Sequence, residues 1–365
     1  MHFGLSEEQE LLQQALRDFA AGEAPPARLR ELFDAGEGYD PVIWQRAAEV
    51  GLQGLMVPER YGGAGLEVLD GALAFEVLGE TALPGPFLGH ALASLALSRA
   101  GSDAQRERWL PRLASGEAVA SFAIAEAPDE NAMDLAWDAE RWALPLVSGC
   151  VTGRKTCVEH VPQSEVVVVG VAGGGLVLVE SGAPGVSVEA IDSLDRGRPL
   201  AELCFEAAPA EELPGGVEHA PAVLDAGRIL LAADAFGATW KLLRMTIDYV
   251  MTREQFGTRI GQFQAVKHEL ANHASETEPM RGLVWYAGHA FDHLPDECAL
   301  EACVAKAHIT ERAVAAGRSA IELHGGTGFT WECDVQFWAK RGLFDRGWLG
   351  SPSAQRERVA TLAGW

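Results

Sequence analysis

Arg253-Glu254-Gln255-Phe256-Gly257-Thr258-Arg259-Ile260-Gly261-Gln262-Phe263-Gln264, running into Ala265-Val266-Lys267-His268, interrupts an otherwise helical part of the chain. Upstream of it, Leu224 to about Arg253 is one long apolar-rich helix. Downstream, Phe263 to about Asp292 predicts a second, Pro295 to about Leu323 a third, and Cys333 to about Phe344 a shorter fourth. Long helices with short connections predict an antiparallel four-helix bundle over residues 221–365. Two more glycine-bearing segments fall within it, Glu322-Leu323-His324-Gly325-Gly326-Thr327-Gly328-Phe329 and Gly347-Trp348-Leu349-Gly350-Ser351. Glycines after a helix let backbone approach a ligand closely, and a nearby arginine suits phosphate. The plainer reading is a C-cap glycine and a surface arginine, and the residues alone leave both open.

Ahead of the bundle the period changes. Val119–Ala125, Val166–Val169, Leu176–Val179, Val186–Ile191 and Leu203–Ala207 are short, rich in β-branched residues and bounded by Gly or Pro. The glycine-rich link from Gly170 to Gly175 leads into a strand and not a helix, so it predicts a hairpin rather than a nucleotide loop. Residues 117–220 therefore form a middle β-barrel or sandwich domain. Residues 1–116 read as helices: a capping box at Ser6-Glu7-Glu8-Gln9 followed by Leu12, Leu16 and Phe19, then a capped start at Asp40-Pro41 ending at Gly51. Glu67–Thr81, Phe87–Arg99 and Ser102–Leu113 follow, with Val57–Gly65 a loop. The class is α+β multidomain: helical, then β, then helical.

Composition narrows the function. The 365 residues carry 29 Lys+Arg against 52 Asp+Glu, a net charge of −23. That balance argues against sequence-independent nucleic-acid binding, which needs cations to displace phosphate counterions. No apolar run has the length of a membrane span. Met1-His2-Phe3-Gly4, followed by acids, lacks the features of a signal peptide. Six cysteines scattered without C-x-x-C spacing read as reduced thiols, and the expected compartment is cytoplasmic. His289 and His293 stand four apart, as do less favourably His268 and His273, but no H-E-x-x-H or matched carboxylate accompanies them, so no metal is expected. No G-x-S-x-G or other nucleophile with its base is present.

At the bundle strings the chain resembles the acyl-CoA dehydrogenase family of flavoproteins. The resemblance rests on R-x-x-F-G-x-x-I-x-x-F-Q-x-V-x-H from Arg253, on H-G-G-x-G-F from His324, on L-x-x-E-Q from Leu5, and on V-P-E-x-Y-G-G-x-G at Val57–Gly65. It covers essentially the whole chain. It implies the acyl-CoA dehydrogenase fold, FAD as cofactor, α,β-dehydrogenation of an acyl-CoA thioester, and an electron-transferring flavoprotein as acceptor. In such enzymes a carboxylate removes the α-proton while the β-hydrogen leaves as hydride to the flavin. Hydrogen bonds to the thioester carbonyl make that proton acidic enough. By family position Arg253, Phe256 and Gln264, with His324, Gly325 and Gly326 close by, contact the ADP half of a neighbouring subunit's FAD. Val57–Gly65 and Phe87–Leu95 fall near the acyl pocket, though a loop and a core helix are their plain readings.

The chain departs from the family where the chemistry is done. The usual base is the glutamate of Y-E-G-T; here the string reads Trp348-Leu349-Gly350-Ser351, and Leu349 cannot take a proton. The alternative base position, at the start of the first bundle helix, falls at Gly227. Asp225, Asp234 or Asp345 are substitutes by proximity in sequence, and each is more simply a helix-terminal or solvated acid. In the middle domain T-E-P-x-x-G-S-D is replaced by Ala125-Glu126-Ala127-Pro128-Asp129-Glu130-Asn131, which keeps Glu126 and loses the threonine and the G-S-D turn. G-x-K-x-W-I-T reads Gly153-Arg154-Lys155-Thr156-Cys157-Val158-Glu159, which keeps Gly153 and Lys155, loses the aromatic residue and the threonine, and places an acid, Glu159, beside the expected flavin.

The half a subunit lends to its neighbour is thus kept, and the half it uses itself is lost. That pattern resembles the base-less subunit of heteromeric α2β2 acyl-CoA dehydrogenases of steroid side-chain degradation, whose partner subunit supplies the base and the flavin-ring site. A bulky or steroid-derived acyl-CoA is implied by that resemblance alone. Three alternatives remain at this point: a homo-oligomeric dehydrogenase with an unusual base such as Asp345, a structural subunit without flavin, and, with least in its favour, a flavin monooxygenase of the same fold.

Overall fold

A computed structural model describes residues 4–127 and 134–365. In chain order the helices are α1 (Glu7–Glu23), α2 (Pro26–Ala35), α3 (Pro41–Glu49), α4 (Val68–Thr81), α5 (Phe87–Ala100), α6 (Asp103–Ala114), α7 (Gly216–Thr252), α8 (Gln264–Thr277), α9 (Met280–His293), α10 (Pro295–Leu323), α11 (Val335–Gly347) and α12 (Pro352–Leu362). The strands are β1 (Ala120–Ala123), β2 (Leu146–Val147), β3 (Cys150–Glu159), β4 (Val166–Val171), β5 (Gly175–Glu180), β6 (Val186–Ile191), β7 (Leu200–Pro209), β8 (Glu211–Glu212), β9 (Glu254–Gln255) and β10 (Thr258–Arg259). The order is the helical, β, helical one read from the sequence. The chain divides into two compact units. One comprises Met1–Arg30, Ala72–Leu83 and Arg228–Trp365; the other comprises Glu31–Gly71 and Pro84–Gly227.

The first unit is all helix apart from the small β9–β10 ladder. Its α1 opens on the expected capping box, with Ser6 Oγ accepting from the Gln9 amide at 3.2 Å and the Gln9 side chain accepting from the Ser6 amide at 3.0 Å. Two glycines set the closest helix approach. A Cβ on Gly79 of α4 would lie 1.9 Å from the Asp234 carbonyl of α7, and one on Gly237 would lie 1.9 Å from the Glu76 carbonyl. Only glycine permits that contact from either side. Below it, Arg341 of α11 clamps Asp234 through two hydrogen bonds, at 2.8 and 2.9 Å, and also donates to the Leu83 carbonyl at 2.9 Å.

Two helix boundaries differ from expectation. The single helix foreseen from Phe263 to Asp292 is broken into α8 and α9 around Pro279, whose ring cannot donate to, and collides with, the carbonyl four residues back. Conversely α7 starts at Gly216, so Pro221 lies inside the helix and not ahead of it. Helix α12 went unread, although Ser351-Pro352 carries a start signal: the Ser351 hydroxyl accepts from the Ala354 amide at 3.3 Å, with proline at the first helical position.

The second unit holds a sandwich. One sheet has the order β1-β4-β5-β8, with β1 parallel to β4; the other, β2-β3-β7-β6, is antiparallel. Val167, Val169, Val177 and Val179 of the first interdigitate with Val151, Val158, Leu203 and Phe205 of the second in one apolar core. The Gly170–Gly175 link is the expected hairpin: β4 and β5 pair in register from Val166 opposite Glu180 to Val171 opposite Gly175, and Gly173 and Gly174 take φ of 82° and 79°. Strand β3 was not foreseen. Its pairing with β7 shifts register between Val151 and Gly153 and again between Lys155 and Val158, so inward residues lose the period of two by which a strand is recognised.

Among the described residues no helix is long and apolar enough to cross a membrane, and no cluster of His, Cys, Asp and Glu is placed to hold a metal ion. None of the six cysteines is in a disulfide.

Candidate functional site

At one end of the helical unit, the segment after α7 doubles back as β9 and β10, with Thr258 opposite Gln255 and Arg259 opposite Glu254. Phe256 and Gly257 make the two-residue turn, with φ of 54° and 77°. Positive φ at both centres is the turn geometry that suits a twisted hairpin, and asparagine or glycine normally supplies it. A phenylalanine held there is strained by about 1 kcal/mol. The residue is 96% exposed, and its ring lies edge-on to that of Phe263 with centroids 6.3 Å apart. Arg253 and Gln264, which flank the turn, have exposed side chains.

The His324 string joins this end through Tyr249, one helical turn before Arg253. The Tyr249 and His324 rings stack at 4.2 Å, and the Tyr249 hydroxyl donates to the His324 carbonyl at 3.3 Å. His324 Nδ1 lies 2.7 Å from the Ala320 carbonyl, so the proton belongs on Nδ1 and Nε2 is left an acceptor. A Cβ on Gly325 or Gly326 would meet nothing within 4 Å, so the pair borders open space. Phe329, at the end of the string, is 80% exposed. An unblocked glycine pair, an exposed aromatic ring, a guanidinium and an amide are a donor set that fits the adenine and phosphate end of a dinucleotide.

The turn after α11 has a different character. Leu349 is 0% exposed, with φ of 59°. The fully buried Lys306 of α10 donates to the Asp345 carbonyl at 2.5 Å and to the Gly350 carbonyl at 3.4 Å. Gln355 donates to the Leu349 carbonyl at 2.6 Å and accepts from Arg228 Nε at 3.0 Å, so the residue after Gly227 is tied to the Leu349 turn. Nothing in the sequence singled out Lys306 or Arg228. The only available signal was a charge inside small, apolar helical stretches, Cys303-Val304-Ala305-Lys306-Ala307 and Arg228-Ile229-Leu230-Leu231.

The substitute bases fare unequally. Asp234 is fully buried and committed to Arg341, which corrects its reading as a solvated acid and removes it as a base. Asp225 and Asp345 are buried as well, so neither is a solvated acid.

In the sandwich unit the retained Glu126 and Lys155 are used internally. Lys155 Nζ donates to Glu126 at 2.6 Å and to the Ile124 carbonyl at 3.0 Å, and lies 5.3 Å from the Trp142 ring centroid. Glu126 also accepts from the Ala143 and Leu144 amides at 2.9 and 3.1 Å. Burial pulls the Lys155 ammonium down to about 8, against the pull of Glu126. Glu159 does not present its charge as expected: it is buried, 3.8 Å from the buried Arg198 guanidinium. Cys157, where the family has its aromatic residue, sits in the second β3 irregularity with φ of 53°, and burial raises its thiol pKa. Pro128 to Asn131 of the eroded string lie outside the described residues.

Comparison with known proteins gives the family. The profile of the acyl-CoA dehydrogenase N-terminal domain matches residues 6–117, and that of the acyl-CoA dehydrogenase C-terminal domain matches residues 215–363. The acyl-CoA dehydrogenase IpdE2 of Mycobacterium tuberculosis is 31% identical over 355 residues, covering 97% of this chain and 96% of its own. A solved steroid ACAD variant, Tcur3481-Tcur3483, is 30% identical with a TM-score of 0.89, covering 98% of both chains. Glutaryl-CoA dehydrogenase of Mycobacterium smegmatis, solved in complex with FADH2, shares the fold at a TM-score of 0.87 and 21% identity over 99% of this chain and 96% of that one. Two matched domain profiles and a relative alike from end to end leave one assignment: the chain belongs to the acyl-CoA dehydrogenase family, FAD-dependent oxidoreductases acting on the CH–CH bond of acyl-CoA thioesters.

Proposed function

We propose that this chain is the subunit without its own catalytic base in a heterotetrameric acyl-CoA dehydrogenase acting on a bulky, steroid-derived acyl-CoA. The observation that carries the reading is Leu349, an apolar residue sealed in the interior at the position of the family's glutamate. Gly227 leaves the second base position equally without a proton acceptor, and Asp234 is held by Arg341. The steroid and heteromeric parts are supported by the likeness to the Tcur3481-Tcur3483 steroid ACAD.

FAD is the family's cofactor, and when bound it supplies the acceptor for the hydride. On this chain Arg253, Phe256 and Gln264 would hold its ADP half, with His324 offering Nε2 as an acceptor and Gly325 and Gly326 leaving room for close approach. Phe256 supplies a ring face already free of the protein's own side chains but for the Phe263 edge. The middle-domain residues offer less: Glu126 and Lys155 are paired with one another, and Glu159 lies buried 3.8 Å from Arg198. A partner subunit then provides the base, and the acceptor of the electrons is an electron-transferring flavoprotein.

Flavin absorbance and native mass of the chain purified alone test this reading. A colourless monomer or dimer that gains flavin on co-expression with a second acyl-CoA dehydrogenase subunit is the expected result. A yellow homotetramer with one FAD per chain and dehydrogenase activity overturns it.

A further inference from the structure

The helical unit carries a second concavity, of about 320 Å³, between α1, the start of α2, the end of α4, α7 and α11. Its volume lies at the lower end of the range for small-molecule sites. It lies about 18 Å along α7 from Arg253, counting twelve residues at the helical rise. Ala20, Ala24 and Leu29 give it an apolar floor, and Trp338 closes one end with its indole N–H donated to the Glu80 carbonyl at 2.9 Å.

The electrostatics of this cleft run against those of the chain. Lys241 stands 5.6 Å from the Trp338 ring centroid and makes no ion pair among the described residues. Arg17 and Arg244 share a single carboxylate, Glu80, at 2.8 and 3.8 Å. Of the charged groups lining the cleft itself, Arg17 and Lys241 are cations and Glu80 is the acid, on a protein of net charge −23. Burial raises the pKa of Glu76, one turn earlier in α4.

We infer that this cleft is a binding site for a small amphiphilic monocarboxylate, its chain on the Ala20–Leu29–Trp338 surface and its carboxylate on Lys241. The indole face and the half-buried ammonium suit opposite ends of such a molecule. The free acid released when an acyl thioester is hydrolysed has that chemistry. The site is independent of the flavin and of the base.

Titration of the purified chain with sodium octanoate, read by isothermal calorimetry and by saturation-transfer NMR, tests it. Ten non-hydrogen atoms at modest ligand efficiency correspond to a dissociation constant of about 1 mM. Lys241→Met should weaken octanoate about fivefold, the loss of one partly exposed charged contact. Ala21→Trp, a substitution at an exposed position on the groove wall, should abolish saturable binding while circular dichroism stays unchanged. Uncharged 1-octanol should bind the unaltered chain and Lys241→Met alike. Absence of saturable octanoate binding, or binding that neither substitution alters, overturns the inference.

Discussion

Acid should loosen the sandwich unit through one residue, His90. It lies fully buried in α5, with Nε2 3.2 Å from the Leu113 carbonyl and Nδ1 accepting from the Ala120 amide at 3.3 Å. Those partners fix the neutral tautomer with its proton on Nε2. A second proton would have to enter Nδ1 against an N–H already pointing at it. Burial accordingly pulls the pKa from 6.5 to about 4. The unfolded chain then binds more protons than the folded one between those values, so this contribution is whole above about pH 6.5 and is lost as pH falls towards 4. At 1.36 kcal/mol per unit the loss is about 3 kcal/mol, a few-hundredfold in the opening equilibrium. Hydrogen exchange of the segments around α5 and β1, corrected for intrinsic rates, reads that equilibrium. His90→Gln, which does not titrate, should start less stable at pH 7, and the gap to the unaltered chain should close by about 3 kcal/mol at pH 4. Parallel pH profiles for the two proteins would refute the reasoning.

Other outcomes follow from the same structure. Arg253→Ala should reduce flavin retention by the assembled complex about tenfold, the value of one charge-assisted contact, measured as bound FAD after gel filtration. Lys155→Met should destabilise the sandwich unit by about 2 kcal/mol in chemical denaturation, because the half-buried Glu126 is left with two backbone amides. Leu349→Glu should yield no dehydrogenase activity in the chain alone, assayed with an artificial electron acceptor, since on the half-site reading the flavin ring is seated by the partner subunit.

The elements that were legible were those whose signal is local. Ser6 and Gln9, Asp40 and Pro41, and the glycines of the β4–β5 turn each determine geometry within a few residues, and they stand where they were read. Strand β3 was hidden because its two irregularities break the alternation. The bundle strings were legible because their residues are sequential, His324 being buried while Arg253, Phe256 and Gln264 are exposed. The polar groups around Leu349 were not, since Lys306, Gln355 and Arg228 come from three separate helices. Asp234 and Arg341, 107 residues apart, illustrate the same limit: an acid next to an apolar helix face reads as surface until its partner is placed.

Two residues with positive φ mark the two halves of the site, and they are treated oppositely. Leu349 pays for its left-handed turn inside the protein, where Lys306 and Gln355 satisfy the neighbouring carbonyls and the leucine itself fills the interior. That turn needs nothing further, and a leucine at this position is fully packed. Phe256 adopts the same backbone conformation with its ring in solvent and one aromatic edge for company. Strain of that kind persists where surrounding structure compensates it, and within this chain the compensation is missing at Phe256 alone of the two. The half-site reading supplies it from outside, by a dinucleotide and the subunit that holds the rest of it. The chain alone should therefore show fast exchange at the β9–β10 turn and slow exchange at the Leu349 turn, and assembly should slow only the first.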